Sequence, residues 1–197
     1  KRKSMLSSKN SLKILKETNA LQEGHFILSS GLHSDKYVQC AQLLSKPDKA
    51  KKICNSLSEK IKENFKKIDL ILSPAIGGIV IGYEIGRLLG IETIFAERKD
   101  KDFELGRGFE LKKGQKILII EDVITTGKSS LECSSLVIKA QAKVIGYACI
   151  IDRSNGKSKI KEKIISQIEL NIPTYKKDNL PKELLSIEAV KPGSRNL

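Results

Sequence analysis

Two adjacent carboxylates and a loop of small polar residues form the part of this sequence best suited to chemistry. Glu121 and Asp122 follow four apolar residues, Ile117 to Ile120, a run that predicts a strand buried on both faces. The next residues, 125–130, are small or cationic, and a helix is predicted over about 129–142. Its free N–H groups and positive dipole end would face this loop. The stretch therefore predicts an anion site, beside two acids that hold sugar hydroxyls or act through a cation.

This loop differs from the two commonest nucleotide-binding loops. A P-loop has a glycine five residues before the glycine of its Gly-Lys-Ser, and Asp122 occupies that position here. No G-x-G-x-x-G follows a predicted strand, so the dinucleotide fingerprint is also missing. The alternative without a ligand is an ordinary strand, turn and helix, in which the serines and threonines only cap the helix.

Composition favours one globular domain that binds small anions. The chain has 197 residues, 40% of them hydrophobic and 30% charged, with a net charge of +13; these values are typical of a soluble domain. The charge either keeps the protein soluble or attracts anionic ligands, nucleic acid included. We favour phosphorylated small molecules over nucleic acid, because the lysines are scattered and only 5% of the residues are aromatic.

Cysteine spacing and hydropathy argue against a zinc site and against a membrane protein. The four cysteines form no C-x-x-C pair, and the two histidines lie elsewhere, so a zinc site is not expected. Scattered single cysteines are typical of buried thiols in a reducing compartment. No apolar run approaches the ~20 residues of a membrane span. A cytoplasmic protein without a membrane partner is the expectation.

Strands and helices are predicted to alternate along the chain. A loose apolar stripe predicts a helix over 11–22 that ends at Gly24, and Pro47 opens a helix that continues to about residue 63. Glycines at 82, 86 and 90 predict a helix that packs closely on the sheet. A short helix is expected over 181–187, and strands are expected at 25–29, 37–40, 68–73, 91–96, 144–151 and 164–170, the last of them at an edge. This alternation predicts an α/β fold with a mostly parallel central sheet flanked by helices.

Polar or glycine-rich segments follow the buried strands where each strand ends. Pro74 to Gly78 follows one strand, the charged run 97–104 follows the next, and 152–156 follows the fourth. Loops at the carboxyl ends of parallel strands share one crevice, where ligands bind. We therefore expect these segments to meet the Glu121–Asp122 loop at one site.

The central motif resembles the donor-binding motif of type I phosphoribosyltransferases. Over residues 11–195, the order and spacing of six stretches are similar to those of the orotate phosphoribosyltransferase family: 24–39, 73–87, 95–99, 119–130, 150–153 and 191–195. The central motif is common to the superfamily, whereas SSGLHSDKY and IIDR favour orotate over purine bases. The resemblance implies a single domain over 1–197, a base-binding hood at about 11–40 and a mobile catalytic loop at 98–108.

The resemblance also implies a reaction and its partners. A phosphoribosyl group would pass from 5-phosphoribosyl 1-pyrophosphate (PRPP, the donor) to orotate, giving orotidine 5-phosphate for UMP synthesis. Mg²⁺ would be carried by the substrate's pyrophosphate and ribose hydroxyls, with no metal ligands from the protein. A homodimer with shared active sites would be the acting form, and no nucleic acid would be bound.

The family's site residues map onto matching positions of this sequence. Glu121 and Asp122 would hold the ribose hydroxyls, and an arginine at Arg153 would take the orotate carboxylate through two parallel hydrogen bonds. The implied catalytic residues are Arg98, Lys99, Lys101 and Asp122. The implied donor contacts are Ala75, Ile76, Gly77, Gly78, Arg98, Lys99, Glu121, Asp122, Val123, Ile124, Thr125, Thr126, Gly127, Lys128 and Ser129. The implied orotate contacts are Ser29, Ser30, Tyr37, Thr125 and Arg153.

Several positions depart from the family pattern. Many members carry a lysine where this chain has Ser29, and an aromatic–lysine pair where it has Ile76 and Gly77. Their catalytic loop contains a lysine and a histidine, whereas this loop has no histidine. Lys101 and Arg107 are both candidates for the missing loop cation. Lys128 either adds a charge to the 5-phosphate site or points to solvent.

Two other functions fit parts of the pattern. A purine phosphoribosyltransferase would share the central motif. A non-catalytic regulator could keep the donor site and bind nucleic acid through the net positive charge. The intact base-facing segment and the absence of an appended helix-turn-helix motif favour the orotate enzyme.

Overall fold

A computed structural model describes residues 5–192 of the chain. The helices are α1 (Ser8–Glu17), α2 (Cys40–Leu44), α3 (Pro47–Asn64), α4 (Gly77–Leu89), α5 (Lys128–Lys139) and α6 (Lys182–Leu185). The strands are β1 (Leu21–Ile27), β2 (His33–Val38), β3 (Leu70–Pro74), β4 (Thr93–Lys99), β5 (Asp102–Leu105), β6 (Lys116–Ile124), β7 (Lys143–Asp152) and β8 (Ile164–Glu169). Most of the closing KPGSR stretch lies outside the described residues.

One six-stranded sheet has the order β5-β4-β3-β6-β7-β8. The pairs β4–β3, β3–β6, β6–β7 and β7–β8 are parallel, and β5 pairs antiparallel with β4. This confirms the predicted α/β fold with a mostly parallel sheet. The carboxyl ends of β3, β4, β6 and β7 therefore lie along the same edge, as a shared site requires. The edge position expected for β8 is also confirmed.

The central strand β6 is apolar on both faces because helices cover both faces of the sheet. Leu118 and Ile120 belong to the core cluster formed with α1, α2, α3 and α4. Ile117 and Ile119 belong to the second cluster, which includes Cys133 of α5. All four strand residues are fully buried. The two-residue period of the strand thus divides one apolar run between two cores.

Close packing of α4 on the sheet depends on Gly82 and Gly86, as predicted, whereas Gly90 ends the helix in a left-handed conformation with open space around it. A Cβ placed on Gly82 would lie 2.2 Å from Oγ of Ser73, and one on Gly86 would lie 2.0 Å from Oγ1 of Thr93. Any larger side chain would therefore push α4 away from β3 and β4. The helix holds its N-terminus, residues 77–78, at the ligand edge of the sheet.

The N-terminal strands form a separate two-stranded antiparallel sheet, the hood, consisting of β1 and β2. The hood is attached to the C-terminal segment by backbone bonds from Ile27 N to Val190 O and from His33 N to Tyr175 O, both 2.8 Å. Inside it, the rings of His25 and His33 meet at 2.6 Å between Nε2 and Nδ1. This pair accounts for both histidines of the chain and keeps them buried.

Several element boundaries differ from the sequence prediction. Helix α1 spans Ser8–Glu17 rather than 11–22, because Ser7 caps its start by accepting from Asn10 N (3.2 Å). The predicted stop, Gly24, instead lies inside β1. Helix α5 ends three residues before the expected Ala142. Helix α2 was not predicted at all, and it has no side-chain cap that would mark its start.

The charged segment 98–108, expected to be a loop, is a β-hairpin over most of its length. Strand β4 continues to Lys99 and β5 returns from Asp102, with Arg98 opposite Phe103 and Lys99 opposite Asp102. Opposite charges and a cation above an aromatic ring stabilise such cross-strand pairs. The prediction was wrong because high charge was taken as a sign of a loop. In this hairpin most of the charged side chains are exposed.

Candidate active site

The paired acids lie within β6, which extends to Ile124, and not beyond its end as predicted. Glu121 is 9% exposed, and its Oε1 accepts from Asp122 N at 3.2 Å. Burial, followed by the charge and hydrogen bond of Asp122, raises the pKa of Glu121 to about 9. At neutral pH Glu121 is therefore protonated and can donate a hydrogen bond.

The side chain of Asp122 joins β6 to the start of α4. Its Oδ1 accepts from Val123 N at 2.8 Å. A Cβ built on Gly77 would lie 2.8 Å from Oδ2 and 2.9 Å from Oδ1. The carboxylate therefore lies directly over the α carbon of Gly77. Two segments expected to share a site, 75–78 and 121–129, are brought into contact here.

Segment 75–78 turns from β3 into α4 with its backbone exposed. Ala75 N donates to Ala96 O of β4 at 2.8 Å, and the peptide bond between Ala75 and Ile76 is cis. The side chain of Ile76 is 85% exposed. Because α4 begins at Gly77, its unpaired N–H groups and positive dipole end lie next to Asp122. This arrangement suits a second anion beside the carboxylate.

The phosphate loop, defined here as Thr125–Ser129, connects β6 to α5. Gly127 has φ +79°, a left-handed conformation that glycine adopts without strain. Lys128 N donates to Oγ1 of Thr126 at 3.3 Å, while the side chains of Thr125, Thr126 and Lys128 are exposed. The N-terminus of the 12-residue helix α5 thus opens toward solvent with small polar side chains around it.

The predicted pyrophosphate contacts lie on the hairpin, where they already have partners. Arg98 forms an ion pair with Glu132 of α5, donates to Lys101 O and lies 4.3 Å above the ring of Phe103. Lys99 lies 3.9 Å from Glu104. The recorded contacts of Arg98 therefore run to α5 and within the hairpin, and none joins it to Asp122 among the described residues.

The two candidates for the loop cation differ in their surroundings. Arg107 forms a bidentate pair with Glu97, with N–O distances of 2.7 and 2.8 Å. Lys101 lies exposed in the hairpin turn, and no carboxylate within residues 5–192 lies in ion-pair range of it. The structure leaves Lys101, and not Arg107, available to a ligand.

Arg153 follows β7 and is held beside the end of β6. Its N–H donates to Ile124 O at 2.9 Å, which places the residue next to the phosphate loop. The side chain is half-buried, and desolvation lowers the pKa of the guanidinium. Within residues 5–192, no carboxylate pairs with this guanidinium. A half-buried arginine without a counter-ion suits an anionic ligand group.

The hood places its candidate residues at and near its turn. Ser29 and Ser30 are exposed after β1, and Tyr37 is half-buried in β2. The ring of Tyr37 lies 5.7 Å from that of Phe26, and its Oη accepts from Gln39 Nε2 at 3.3 Å. The hydrogen bonds that fix the hood run to the C-terminal segment.

A cavity of about 470 Å³ lies beside the phosphate loop. It brings in two residues that the sequence did not indicate, Glu132 and Lys159. No sequence pattern distinguishes Lys159 from the other scattered lysines, or Glu132 from other helix glutamates. The residues that line the cavity are Thr126, Lys128, Leu131, Glu132, Ser135 and Lys159.

The described residues offer neither a cluster of metal ligands nor a membrane-spanning helix. No group of three or more His, Cys, Asp or Glu side chains within residues 5–192 is arranged to hold a metal ion. No helix in that range has the length and apolarity needed to cross a bilayer. The four cysteines are buried and unpaired.

Comparison with known proteins shows the family to which the chain belongs. A family model described as phosphoribosyl transferase domain matches residues 41–180. The chain is 47% identical over 189 residues to an orotate phosphoribosyltransferase of Parvibaculum lavamentivorans, covering 94% of this chain and 97% of the relative. It is 48% identical over 177 residues to one of Rhizorhabdus wittichii, covering 89% and 90%.

Solved structures support the fold. The orotate phosphoribosyltransferase of Aeropyrum pernix superposes with a TM-score of 0.69 at 22% identity, covering 80% of this chain and 92% of that one. At this identity the likeness concerns the fold alone, whereas the curated relatives share sequence over nearly their whole length. On that sequence similarity, the chain belongs to the orotate phosphoribosyltransferase family of the phosphoribosyltransferases.

Proposed function

We propose that the protein transfers the phosphoribosyl group of the donor to orotate, giving orotidine 5-phosphate and pyrophosphate. The bond between ribose C1 and the pyrophosphate oxygen breaks, and its electron pair leaves with the pyrophosphate. Orotate N1 forms the new bond to C1 and releases its proton to solvent. One observation carries the proposal: the carboxylate of Asp122, three residues before the phosphate loop, lies against the first residue of α4.

Glu121, Asp122 and the phosphate loop would hold the ribose 5-phosphate. The raised pKa of Glu121, about 9, keeps this side chain neutral, which lessens the repulsion between the paired acids and a polyanionic donor. Asp122 accepts from the ribose hydroxyls, and Glu121 can donate to one of them. The free N–H groups of the phosphate loop and the positive end of the α5 dipole then receive the 5-phosphate, whereas Val123 N already donates to Asp122 Oδ1.

The pyrophosphate would lie between segment 75–78 and the hairpin. Charge accumulates on this group as it leaves, so fixed positive groups stabilise the transition state more than the ground state. To bind the pyrophosphate, Arg98 must break its ion pair with Glu132, and Lys99 must break its ion pair with Glu104. Lys101, which has no recorded ionic partner among the described residues, would serve as the loop cation.

Mg²⁺ would enter with the donor as part of the substrate. Glu121 and Asp122 are the two adjacent carboxyl groups of this site, and Glu121 is protonated at neutral pH. Such a set suits an ion held chiefly by phosphate and ribose oxygens, since Mg²⁺ commonly binds one or two carboxylates and substrate phosphates. When bound, the ion neutralises negative charge on the pyrophosphate.

Arg153 would recognise orotate. Two parallel N–H groups of the guanidinium match the two oxygens of the carboxylate, and the half-buried position strengthens this pairing. Ser29, Ser30, Tyr37 and Thr125 would enclose the base from the hood and the loop. Their exclusion of water would protect the ribosyl cation from hydrolysis.

A homodimer in the cytoplasm would be the acting form. Ile76, Val80 and Tyr83 present an exposed apolar face of α4, with 85%, 53% and 67% exposure, and a second copy is the partner we propose for it. In this arrangement, hairpin 98–108 would move to close over the neighbouring site. Four buried free thiols fit a reducing compartment.

A spectrophotometric assay of orotate loss tests the proposed function. The chain is mixed with orotate, the donor and Mg²⁺, and absorbance is followed with the donor omitted as the control. We expect orotate consumption that depends on the donor. Turnover of adenine or another purine without loss of orotate would contradict the proposal. Activity of neither kind, together with DNA or RNA binding that persists at physiological salt, would favour the non-catalytic regulator.

A further inference from the structure

The segment after β7 lies against the phosphate loop. Two backbone hydrogen bonds fasten it there: Arg153 N donates to Ile124 O at 2.9 Å, and Lys159 N makes a long contact to Thr126 O at 3.4 Å. These bonds bracket Thr125. The segment therefore runs alongside the loop from Ile124 to Thr126, and it connects Arg153 with the phosphate loop.

Ile160 is the residue of this segment that meets the loop most closely. A Cβ built on Gly127 would lie 2.9 Å from both Cδ1 and Cγ1 of Ile160, and 3.7 Å from Cβ of Ser158. The isoleucine is half-buried and packs on the cluster that includes Ile124 and Cys133. Its side chain is thus anchored in the core at one end and covers the α carbon of Gly127 at the other.

The loop needs such a support because it has little packing of its own. Thr125, Thr126 and Lys128 are exposed, whereas Gly127 is buried. Gly127 also has the widest choice of backbone conformation of any residue in the loop, and its left-handed φ of +79° sets the direction of the following N–H groups. A binding site must hold its groups to within about 0.5 Å to act fully.

We propose that Ile160 is a positioning residue, which presses on Gly127 and so holds the phosphate-loop N–H groups on the 5-phosphate of the donor. This role rests on the proposed function of the loop. Ile160 touches no substrate. Its effect passes through the backbone of Gly127 and should concern the binding of the phosphate, not the acceptance of orotate.

The lysines around Ile160 contribute differently. Lys159 and Lys161 are exposed, so their charges attract an anion from a distance and are screened by salt. Packing of an isoleucine against a glycine does not depend on salt. Loss of Lys159 should therefore weaken donor binding less as ionic strength rises, whereas loss of Ile160 should weaken it equally at low and high salt.

The test compares Ile160→Ala with Ile164→Ala. Ile164 is a matched control, because it is also half-buried and packs on the same core cluster, but it lies in β8 and has no recorded contact with Gly127. Calorimetric titration with ribose 5-phosphate measures phosphate-loop binding without any reaction. Steady-state kinetics then give KM for the donor and for orotate separately.

For Ile160→Ala we expect the Kd of ribose 5-phosphate and the donor KM to rise about ten- to hundredfold. The kcat and the orotate KM should stay within about twofold, and Ile160→Val should recover most of the loss. An equal effect of Ile164→Ala, or no effect of Ile160→Ala, would overturn the inference. If the unaltered chain turns over orotate, the proposed function stands whichever variant result is obtained. If the unaltered chain fails to bind ribose 5-phosphate, both the phosphate assignment and the inference are rejected.

Discussion

Asp122 of β6 lies against the α carbon of Gly77 at the start of α4, so closely that a Cβ on Gly77 would be 2.8 Å from Oδ2. This contact joins two segments that are far apart in sequence and that follow different strands. It also places a carboxylate beside a helix N-terminus, where the positive dipole end stabilises it. The site therefore depends on the absence of a side chain as much as on the acid.

Gly77→Ala should weaken donor binding without unfolding the protein. The added methyl group must displace the Asp122 carboxylate from its bond with Val123 N, or shift the first turn of α4. We expect the donor KM to rise about tenfold or more, while the melting temperature changes little because Gly77 is exposed and alanine favours a helix. In an Asp122→Ala background, Gly77→Ala should raise the donor KM very little further. A further tenfold rise in the donor KM there would contradict the proposed contact between the two residues.

Glu121 should make the stability of the fold fall as pH rises. Burial and Asp122 raise its pKa from 4.5 to about 9, so between these values the unfolded chain loses a proton that the folded chain keeps. The free energy of unfolding must then decrease as pH rises across this window. Below about pH 4.5 both states are protonated, so the free energy of unfolding no longer changes with pH on account of Glu121.

Glu121→Gln removes this titration and should flatten the pH dependence. Urea unfolding at pH 5 to 8 measures the effect, and at pH 7.5 the variant should be more stable by about 1–3 kcal/mol. The exposed Glu162→Gln serves as the control and should leave the slope unchanged. A Glu121→Gln variant that is less stable at every pH would show that the acid is ionised in the folded protein.

The strands and helices that carry the core could be predicted from the sequence, since their pattern is local. Residues 117–120 form a run that only a doubly covered strand accommodates, and Pro47 with apolar residues at helical spacing marks α3. The sequence also indicated the paired acids and the polar loop after them as a candidate site, because residue types in a fixed order carry their chemistry.

Relationships across the sheet were not evident. Nothing in the sequence places Ile160 on Gly127, since the contact depends on the path of the chain after β7. Hairpin β4–β5 was mistaken for a loop because its stability comes from cross-strand pairs, which appear only when the register is known. The partner of Arg98 was likewise hidden, because Glu132 lies 34 residues away on helix α5.

Glu132 should compete with pyrophosphate for Arg98. Both partners are partly exposed, and such a pair contributes about 0.2–1 kcal/mol. Glu132→Gln should therefore lower the KM of pyrophosphate in the reverse reaction by about two- to fivefold. When Arg98→Ala is combined with it, the gain should vanish. A higher KM for Glu132→Gln would mean that the glutamate positions the arginine and does not compete.

Arg153→Lys should reduce orotate recognition while it keeps the positive charge. A lysine offers a point charge in place of two parallel donors, so the carboxylate loses its bidentate pairing. Because hydrogen bonds to charged groups contribute about 1.5–3 kcal/mol, we expect the orotate KM to rise about ten- to hundredfold. The donor KM should be unchanged, as the main-chain bond to Ile124 does not involve the side chain.

Uracil provides the sharpest measurement for Arg153, because it is orotate without the carboxylate. The unaltered chain should prefer orotate strongly, and Arg153→Lys should reduce that preference by lowering the rate with orotate alone. A control variant on the surface, Lys143→Arg, lies at the opposite end of β7 and should leave both rates as they are. If Arg153→Lys reduced the reaction rates with orotate and with uracil equally, the arginine would contact the pyrimidine ring that both bases share. The orotate carboxylate would then require another partner.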